Sequence, residues 1–218
     1  MILTLVQARF NSNRLQGKSL FKINGKTLTE YVLNAAIKSN SNCVGLIYPK
    51  KEENEFKKFD IFKFGGNELN VLDRYYEGVK YFEEKNKIKV DHIIRLTADC
   101  PLLFYYPEII NNVIKKHLDE KNDFTHNKGF MSYPSGLDVE IMTKETLDIS
   151  HQIAKKQEEL EHVTIIIKNN PSKFKIGNLP QKIGKSKEFN CKWSIDTIED
   201  FKMVEDVIFL LERMKGNC

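Results

Sequence analysis

No two of the four cysteines (Cys43, Cys100, Cys191, Cys218) form a Cys-x-x-Cys pair. That excludes a zinc site of paired cysteines and a disulfide framework, and leaves free thiols in a reducing compartment as the expectation. No apolar run reaches the ~18 residues that suggest a membrane span. No charged segment precedes the first hydrophobic stretch either. Neither a membrane helix nor a signal peptide is therefore expected, and the cytoplasm is the expected compartment. Basic residues do not cluster, and the aromatic residues form no stacking platform. Lysines sit beside glutamates, as in "KKEENEFKK" and "YFEEKNKIK", the pattern of solvated helix faces. With a net charge of only +4, a nucleic-acid partner is not expected. Arginine is scarce: of 34 basic residues only Arg9, Arg14, Arg74, Arg95 and Arg213 are arginine. Where lysine is the default cation, an arginine can mark a place that needs a planar bidentate donor.

What is present is an alternation. "ILTLVQ", "CVGLIY", "FDIFKF" and "VDHIIRLT" read as buried strands. "TLTEYVLNAAIKS", "NVLDRYYEGVKYFEEK" and "PEIINNVIKKHL" between and after them carry helical periodicity. Pro107 stands at the start of the last of these, where a missing N–H costs nothing. This spacing predicts an α/β fold with a doubly wound, parallel sheet. Beyond about residue 122 the rhythm changes. "NDFTHN", "GLDVEIM" and "KFKIGNL" read as strands of an insertion or lid, and residues 144–169 as one or two helices. "CKWSID" reads as a closing strand and "TIEDFKMVEDVIFLLERM" as an amphipathic helix. No repeat or low-complexity linker interrupts the 218 residues, which read as one domain.

In open α/β sheets, ligands bind beyond the carboxyl ends of the strands. Three chemistry-bearing segments fall there. The first, "QARFNSNRLQGKSL", carries Arg9, Arg14 and Lys18 with Asn11, Ser12 and Asn13 between them. Asparagine tolerates left-handed backbone, so the loop can turn its N–H groups toward an anion, and three cations suit a triphosphate. Its Gly17-Lys18-Ser19 ending approaches a P-loop, but Ser12 stands where the first glycine belongs. The second, "RLTADCPLL", sets Asp99 beyond a strand. The third, "WSIDTIEDF", does the same for Asp196. Two strand-end carboxylates on one edge suit Mg²⁺, which takes one or two carboxylates together with phosphate oxygens. Thr197 and Asp200 have the spacing of a helix capping box. "YPSGLDVEI" offers Tyr133 and Glu140, and "LEHVT" offers Glu161 and His162, as substrate contacts. An ordinary turn is as good a reading of the first, and a lone histidine in a helical segment is more often structural.

Taken in order, these segments resemble the SpsF-like cytidylyltransferases, relatives of the CMP-Kdo and CMP-acylneuraminate synthetases. The family's QARMGSTRLPGKxL opening corresponds to "QARFNSNRLQGKSL", and its VLDRYY to "NVLDRYYEG". Its RxTGDxPL corresponds to "RLTADCPLL", and its YPxGxxVEI to "YPSGLDVEI". EHVT is present as "LEHVT", and DTxxDxxxV as "DTIEDFKMV". The chain departs at Asn11 (usually Gly), Asn13 (Thr), Gln16 (Pro) and Ala98 (Gly).

The resemblance implies a three-layer nucleotide-diphospho-sugar transferase fold with a mixed, mainly parallel sheet. It implies transfer of CMP from CTP to a sugar, sugar acid or related small acceptor with release of pyrophosphate, in making surface polysaccharide or glycoconjugate. Arg14, Lys18 and Asp99 would be catalytic. Gln7, Ala8, Arg9, Asn11, Ser12, Asn13, Arg14, Lys18 and Arg74 would bind the nucleotide, with Gln7 and Ala8 near the base. Asp99 and Asp196 would hold Mg²⁺. Tyr133, Pro134, Gly136, Glu140, Glu161 and His162 would lie at the acceptor, within a subregion of about residues 123–180 that also meets a second subunit of a homodimer. Use of another NTP or a sugar 1-phosphate, a non-catalytic nucleotide-binding protein on the same fold, and, more remotely, a P-loop NTPase are the alternatives.

Overall fold

The computed structural model describes residues 1–128, 133–180 and 192–216. In chain order the elements begin with β1 (Ile2–Gln7), a β2/β3 hairpin (Lys22–Ile23, Lys26–Thr27), α1 (Leu28–Ile37), β4 (Cys43–Pro49) and α2 (Glu53–Phe56). Next come β5 (Phe62–Gly66), α3 (Val71–Asn86), β6 (His92–Thr97) and α4 (Glu108–Glu120). The last part holds β7 (Phe124–His126), β8 (Glu140–Thr143), α5 (Lys144–Ile153), α6 (Gln157–Glu161), α7 (Ile165–Lys168), β9 (Ile176–Asn178) and α8 (Ile198–Gly216).

Seven strands form one sheet in the order β5-β4-β1-β6-β8-β7-β9. β5, β4, β1 and β6 pair in parallel, β8 runs antiparallel to both its neighbours, and β9 pairs in parallel with β7. The sheet is thus mixed and mainly parallel. β7, β8 and β9 extend it rather than form a separate lid, which corrects the insertion expected after residue 122. The helical stretch 144–169 divides into three helices instead of one or two, and β8 and β9 are shorter than the apolar runs that announced them.

Strand geometry sends alternate side chains to opposite faces. Leu3, Leu5, Ile47, Ile93 and Met142 therefore enter one core, with Leu72, Tyr75 and Val79 of α3 and Leu147 of α5. Val6, Leu46, Ile94, Leu96 and Ile141 enter the other, with Val32 of α1, Ile110 of α4 and Val204 of α8. Both faces are covered, so β1 can be apolar at almost every position, as its sequence is. Helix starts are fixed locally. Thr27 and Glu30 form a capping box on α1, and the Asn70 side chain accepts from the Asp73 N–H on α3. Thr197 and Asp200 cap α8 reciprocally, as their spacing predicts. Among the described residues, no helix is long and apolar enough to cross a membrane. Cys43 and Cys100 are free thiols, while Cys191 and Cys218 lie outside the described residues.

A histidine pair, His117 buried and His92 half-buried, joins α4 to the sheet. His117 bonds Thr125 through Nδ1 and His92 through Nε2, each at 3.1 Å. Burial, then the neighbouring His92, brings the His117 pKa down to about 4. The unfolded chain binds a proton at this residue near pH 6.5, whereas the fold resists it until near pH 4. The resulting stabilisation is complete above that upper value and is lost as pH falls through the window, about 3 kcal/mol in all. Urea denaturation across this range should show that slope in the native protein, and a flattened one in His117→Gln. Parallel slopes would remove His117 as the source.

Candidate active site

The loop after β1 departs from the sheet edge at Ala8, whose N–H donates to Ile47 O, and the N–H of Ala98 donates to Gln7 O. These bonds bring the carboxyl ends of β1, β4 and β6 together. Residues 9–17 then curl back on themselves. Gly17 donates to Phe10 O at 2.8 Å with φ 72°, and Ser19 Oγ donates to Arg9 O. The left-handed conformation at Gly17 suits glycine, because a Cβ there would also press on the Phe10 ring at 3.1 Å. The buried Glu52 carboxylate accepts the N–H groups of Phe10 and Asn11 at 2.6 and 3.0 Å. Two of the donors expected to face an anionic ligand are therefore already satisfied by the protein's own anion.

Lys18 is the first surprise of the site. Its side chain is buried, and Nζ donates to Asp99 Oδ2 (3.1 Å), Asp196 Oδ1 (2.9 Å) and Ile195 O (2.5 Å). A lysine expected to meet phosphate instead ties the two aspartates together. Arg14 reaches the same Asp196 oxygen at 2.7 Å, and Lys192 reaches Oδ2 at 3.2 Å. Burial pushes the Asp196 carboxyl up. The hydrogen bond and charge of Lys18, followed by those of Lys192, outweigh it and hold that carboxyl below its ordinary range.

Asp196 does not sit at the end of a sheet strand, contrary to the strand expected over 191–196. Cys191 lies outside the described residues, and from Lys192 onward only an isolated bridge to Ser135 is present. The segment is seated by other bonds. Trp193 N donates to Ser135 O (2.6 Å), Ile195 N to Asp99 O (3.0 Å), and the hydroxyls of Ser135 and Ser194 meet at 3.1 Å.

These parts border a cleft of about 450 Å³, within the usual range of small-molecule sites. Of the residues predicted from sequence, Gln7, Ala8, Arg9, Asn11, Asn13, Arg14, Lys18, Arg74, Asp99, Glu161, His162 and Asp196 all line it. The segments that carry them are far apart in the chain and meet only through the fold. Glu161 and His162 come from the end of α6, and Gln157 of that helix donates to the O of Leu69, which also lines the cleft.

Other predicted residues stand elsewhere. Ser12 is buried and is not part of the cleft lining. Arg74 touches the cleft, but two of its three guanidinium nitrogens hold the backbone carbonyls of Asn67 and Glu68, and burial draws its pKa down to about 10. It braces the wall that contains Leu69. Tyr133 and Pro134 lie outside the cleft lining, in the turn that precedes the seat of segment 192–196. Gly136 faces the Trp193–Ser194 backbone at contact distance. Glu140 is not offered to a ligand: its side chain is 3% exposed and bonded to Arg95, Lys168 and Thr164. Burial alone would raise its carboxyl, but Arg95, then Lys168 and Lys128, hold it far below the usual range.

Sequence reasoning did not place Glu52, Glu68 or Arg95 at the cleft, yet all three line it. For Arg95 a signal existed, since it is one of the scarce arginines and lies near the end of β6. For Glu52 there was none, because its partner is backbone 41 and 42 residues away.

No group of three or more His, Cys, Asp or Glu side chains among the described residues could enclose a metal ion. The Asp99–Asp196 pair nonetheless converges on one cation, the Lys18 ammonium. Two hard oxygen donors open to a cleft fit Mg²⁺ or a similar ion that completes its shell with phosphate oxygens and water.

A mainly parallel α/β sheet, with a cationic loop and two aspartates over its carboxyl edge, has the form of a nucleotidyltransferase. The chain belongs to the cytidylyltransferase family, which residues 3–215 match. It is 30% identical to the spore coat polysaccharide biosynthesis protein SpsF of Bacillus subtilis, over 94% of this chain and 85% of that one. A solved cytidylyltransferase from Leptospira borgpetersenii superposes with a TM-score of 0.82 at 26% identity, covering 99% of this chain and 94% of that one. The structure of a CMP:2-keto-3-deoxy-manno-octonic acid synthetase complexed with CTP shares the fold. Its TM-score is 0.67 at 16% identity, over 96% of this chain and 98% of that one.

Proposed function

We infer that this protein, acting in the cytoplasm as a homodimer, transfers CMP from CTP to a sugar, sugar acid or related small acceptor for a surface polysaccharide or glycoconjugate. The observation that carries the reading is the convergence of Arg9, Arg14 and Lys18 with Asp99 and Asp196 on one cleft. In the reaction, an acceptor hydroxyl gives up its proton to solvent as its oxygen bonds to the α-phosphorus of CTP, the bond from that phosphorus to the bridging oxygen breaks, and pyrophosphate departs. Little covalent chemistry falls to the protein, whose tasks are alignment and charge stabilisation. Arg9 and Arg14, exposed at the cleft, meet the triphosphate. Lys18 holds the two carboxylates in place. Asp99 and Asp196 would hold Mg²⁺, which when bound neutralises charge on the phosphate oxygens. Glu161 and His162, across the cleft, face the acceptor.

The reading is tested by binding and by product. CTP with Mg²⁺ at about a hundred times its Kd should raise the thermal midpoint by about 5 °C. A panel of sugar and sugar-acid acceptors, screened with CTP for pyrophosphate release, should yield one that turns over. Protection by GTP or ATP and none by CTP would favour another nucleotide, and protection by no nucleotide would leave a non-catalytic protein on the same fold.

A further inference from the structure

At the carboxyl end of β1 the Gln7 side chain borders the cleft beside Arg95 of β6, its neighbour one strand over. Arg95 Nη2 donates to Gln7 Oε1 at 3.3 Å. A guanidinium has donors only, so the amide oxygen of Gln7 must face it and the amide NH₂ must point away. Chemistry therefore settles an orientation that an isolated glutamine leaves free. The Gln7 NH₂ has no hydrogen-bond partner among the described residues and is not enclosed.

Arg95 is itself immobilised. Its Nη1 donates to Glu140 Oε2 at 2.7 Å, and Glu140 Oε1 accepts from Thr164 (3.0 Å) and Lys168 (2.8 Å). Three elements, β6, β8 and α7, thus converge on one carboxylate to hold one guanidinium. The arrangement is not optimal for folding alone, since Arg95 Nε is buried with no partner. A lysine would avoid that cost, but it would have to reach Glu140 and Gln7 from one nitrogen, whereas the planar fork presents a separate nitrogen to each.

The geometry points to Arg95 as a positioning residue for nucleotide choice: it locks Gln7 so that the amide NH₂ meets the base, facing N3 of cytosine. That ring nitrogen is an acceptor in cytosine and carries a proton in uracil, where a fixed donor would confront a donor. A site built to hydrogen-bond one edge rejects the analogue that mismatches it far better than an apolar pocket does. This assignment rests on the CTP reading above and gives Glu140, which does not reach the cleft, a place in it through Arg95.

The test is nucleotide binding without acceptor, by calorimetry with CTP and UTP in the presence of Mg²⁺. It compares the native protein with Gln7→Leu, Arg95→Lys and the double variant. Arg95→Lys keeps a cation beside Glu140, so no buried carboxylate is stranded. Gln7→Leu leaves the Arg95–Glu140 pair intact, and its unfolding midpoint without nucleotide checks the fold. The native protein should prefer CTP by about tenfold or more, and each single variant should bring the ratio close to one. If Arg95 acts through Gln7, the double variant should lose no more than Gln7→Leu alone. A ratio unchanged in Arg95→Lys, or losses that add in the double variant, overturns the assignment while leaving the CTP reading intact. Failure of the native protein to bind CTP overturns the CTP reading itself.

Discussion

Replacing Asp99 with alanine should lower the rate of pyrophosphate release by about a thousandfold while costing only about 1 kcal/mol of stability. The two effects part because the residue has two unequal jobs. For the fold, Asp99 contributes one of three acceptors around the Lys18 ammonium, and it is 28% exposed. Asp196 and Ile195 O remain to satisfy the lysine. For the chemistry, on the proposed reading its carboxylate is one of the two that would hold a divalent cation, and without it charge on the α-phosphate and on pyrophosphate would be poorly stabilised. Asp99→Asn sharpens the test. The amide still accepts from Lys18 but offers no negative charge, so turnover should fall nearly as far as in the alanine variant. Steady-state kinetics over a range of CTP concentrations, with urea denaturation of the same samples, measure both effects. Turnover retained in either variant would remove Asp99 from the reaction. A loss confined to KM would assign it to substrate binding alone.

Much of this site was legible in the sequence because sheet topology is nearly local information. Apolar runs at β1, β4 and β6, broken by amphipathic helices, force a parallel sheet, and the residues just past such strands must share an edge. That is why Gln7, Arg14, Asp99 and the neighbouring loop residues do meet in one cleft. What stayed hidden were pairings between distant charges. Lys18 looked like a phosphate ligand because a lysine in a loop announces a charge, not its partner. The residues that capture it, Asp99 and Asp196, stand 81 and 178 positions away. Glu140 looked accessible for the same reason: its burial depends on Arg95 and Lys168, which arrive on other elements. The expected strand over 191–196 failed differently. Ile195 is buried, as the apolar pattern implies, but its N–H bonds the Asp99 carbonyl instead of a sheet neighbour. An apolar residue in a short segment reports burial and says little about which backbone will pair with it.

That seat leads to the second large effect, expected for Gly136→Ala. Gly136 has φ +104°, a region that residues with a Cβ rarely enter. A Cβ would also lie 2.3 Å from the Trp193 carbonyl carbon and 2.4 Å from Ser194 N, both backbone atoms that cannot rotate aside. Backbone strain and forced overpacking together should cost about 4 kcal/mol. The consequence is not confined to stability, because the strand of chain being pushed leads directly to Asp196. The bond from Ile195 N to Asp99 O and the reach of Asp196 to Lys18 both depend on where residues 193–195 lie. CTP-dependent turnover should therefore fall with the folding midpoint in Gly136→Ala, even at temperatures where the variant is fully folded. Ser135→Ala is the control at the adjacent position. It removes only the hydroxyl contact to Ser194, should cost about 1 kcal/mol or less, and should leave turnover near the native value. If Gly136→Ala instead keeps native turnover while losing stability, Asp196 is placed by its own ion pairs with Lys18, Arg14 and Lys192, and the turn at Ser135–Gly136 serves the fold alone.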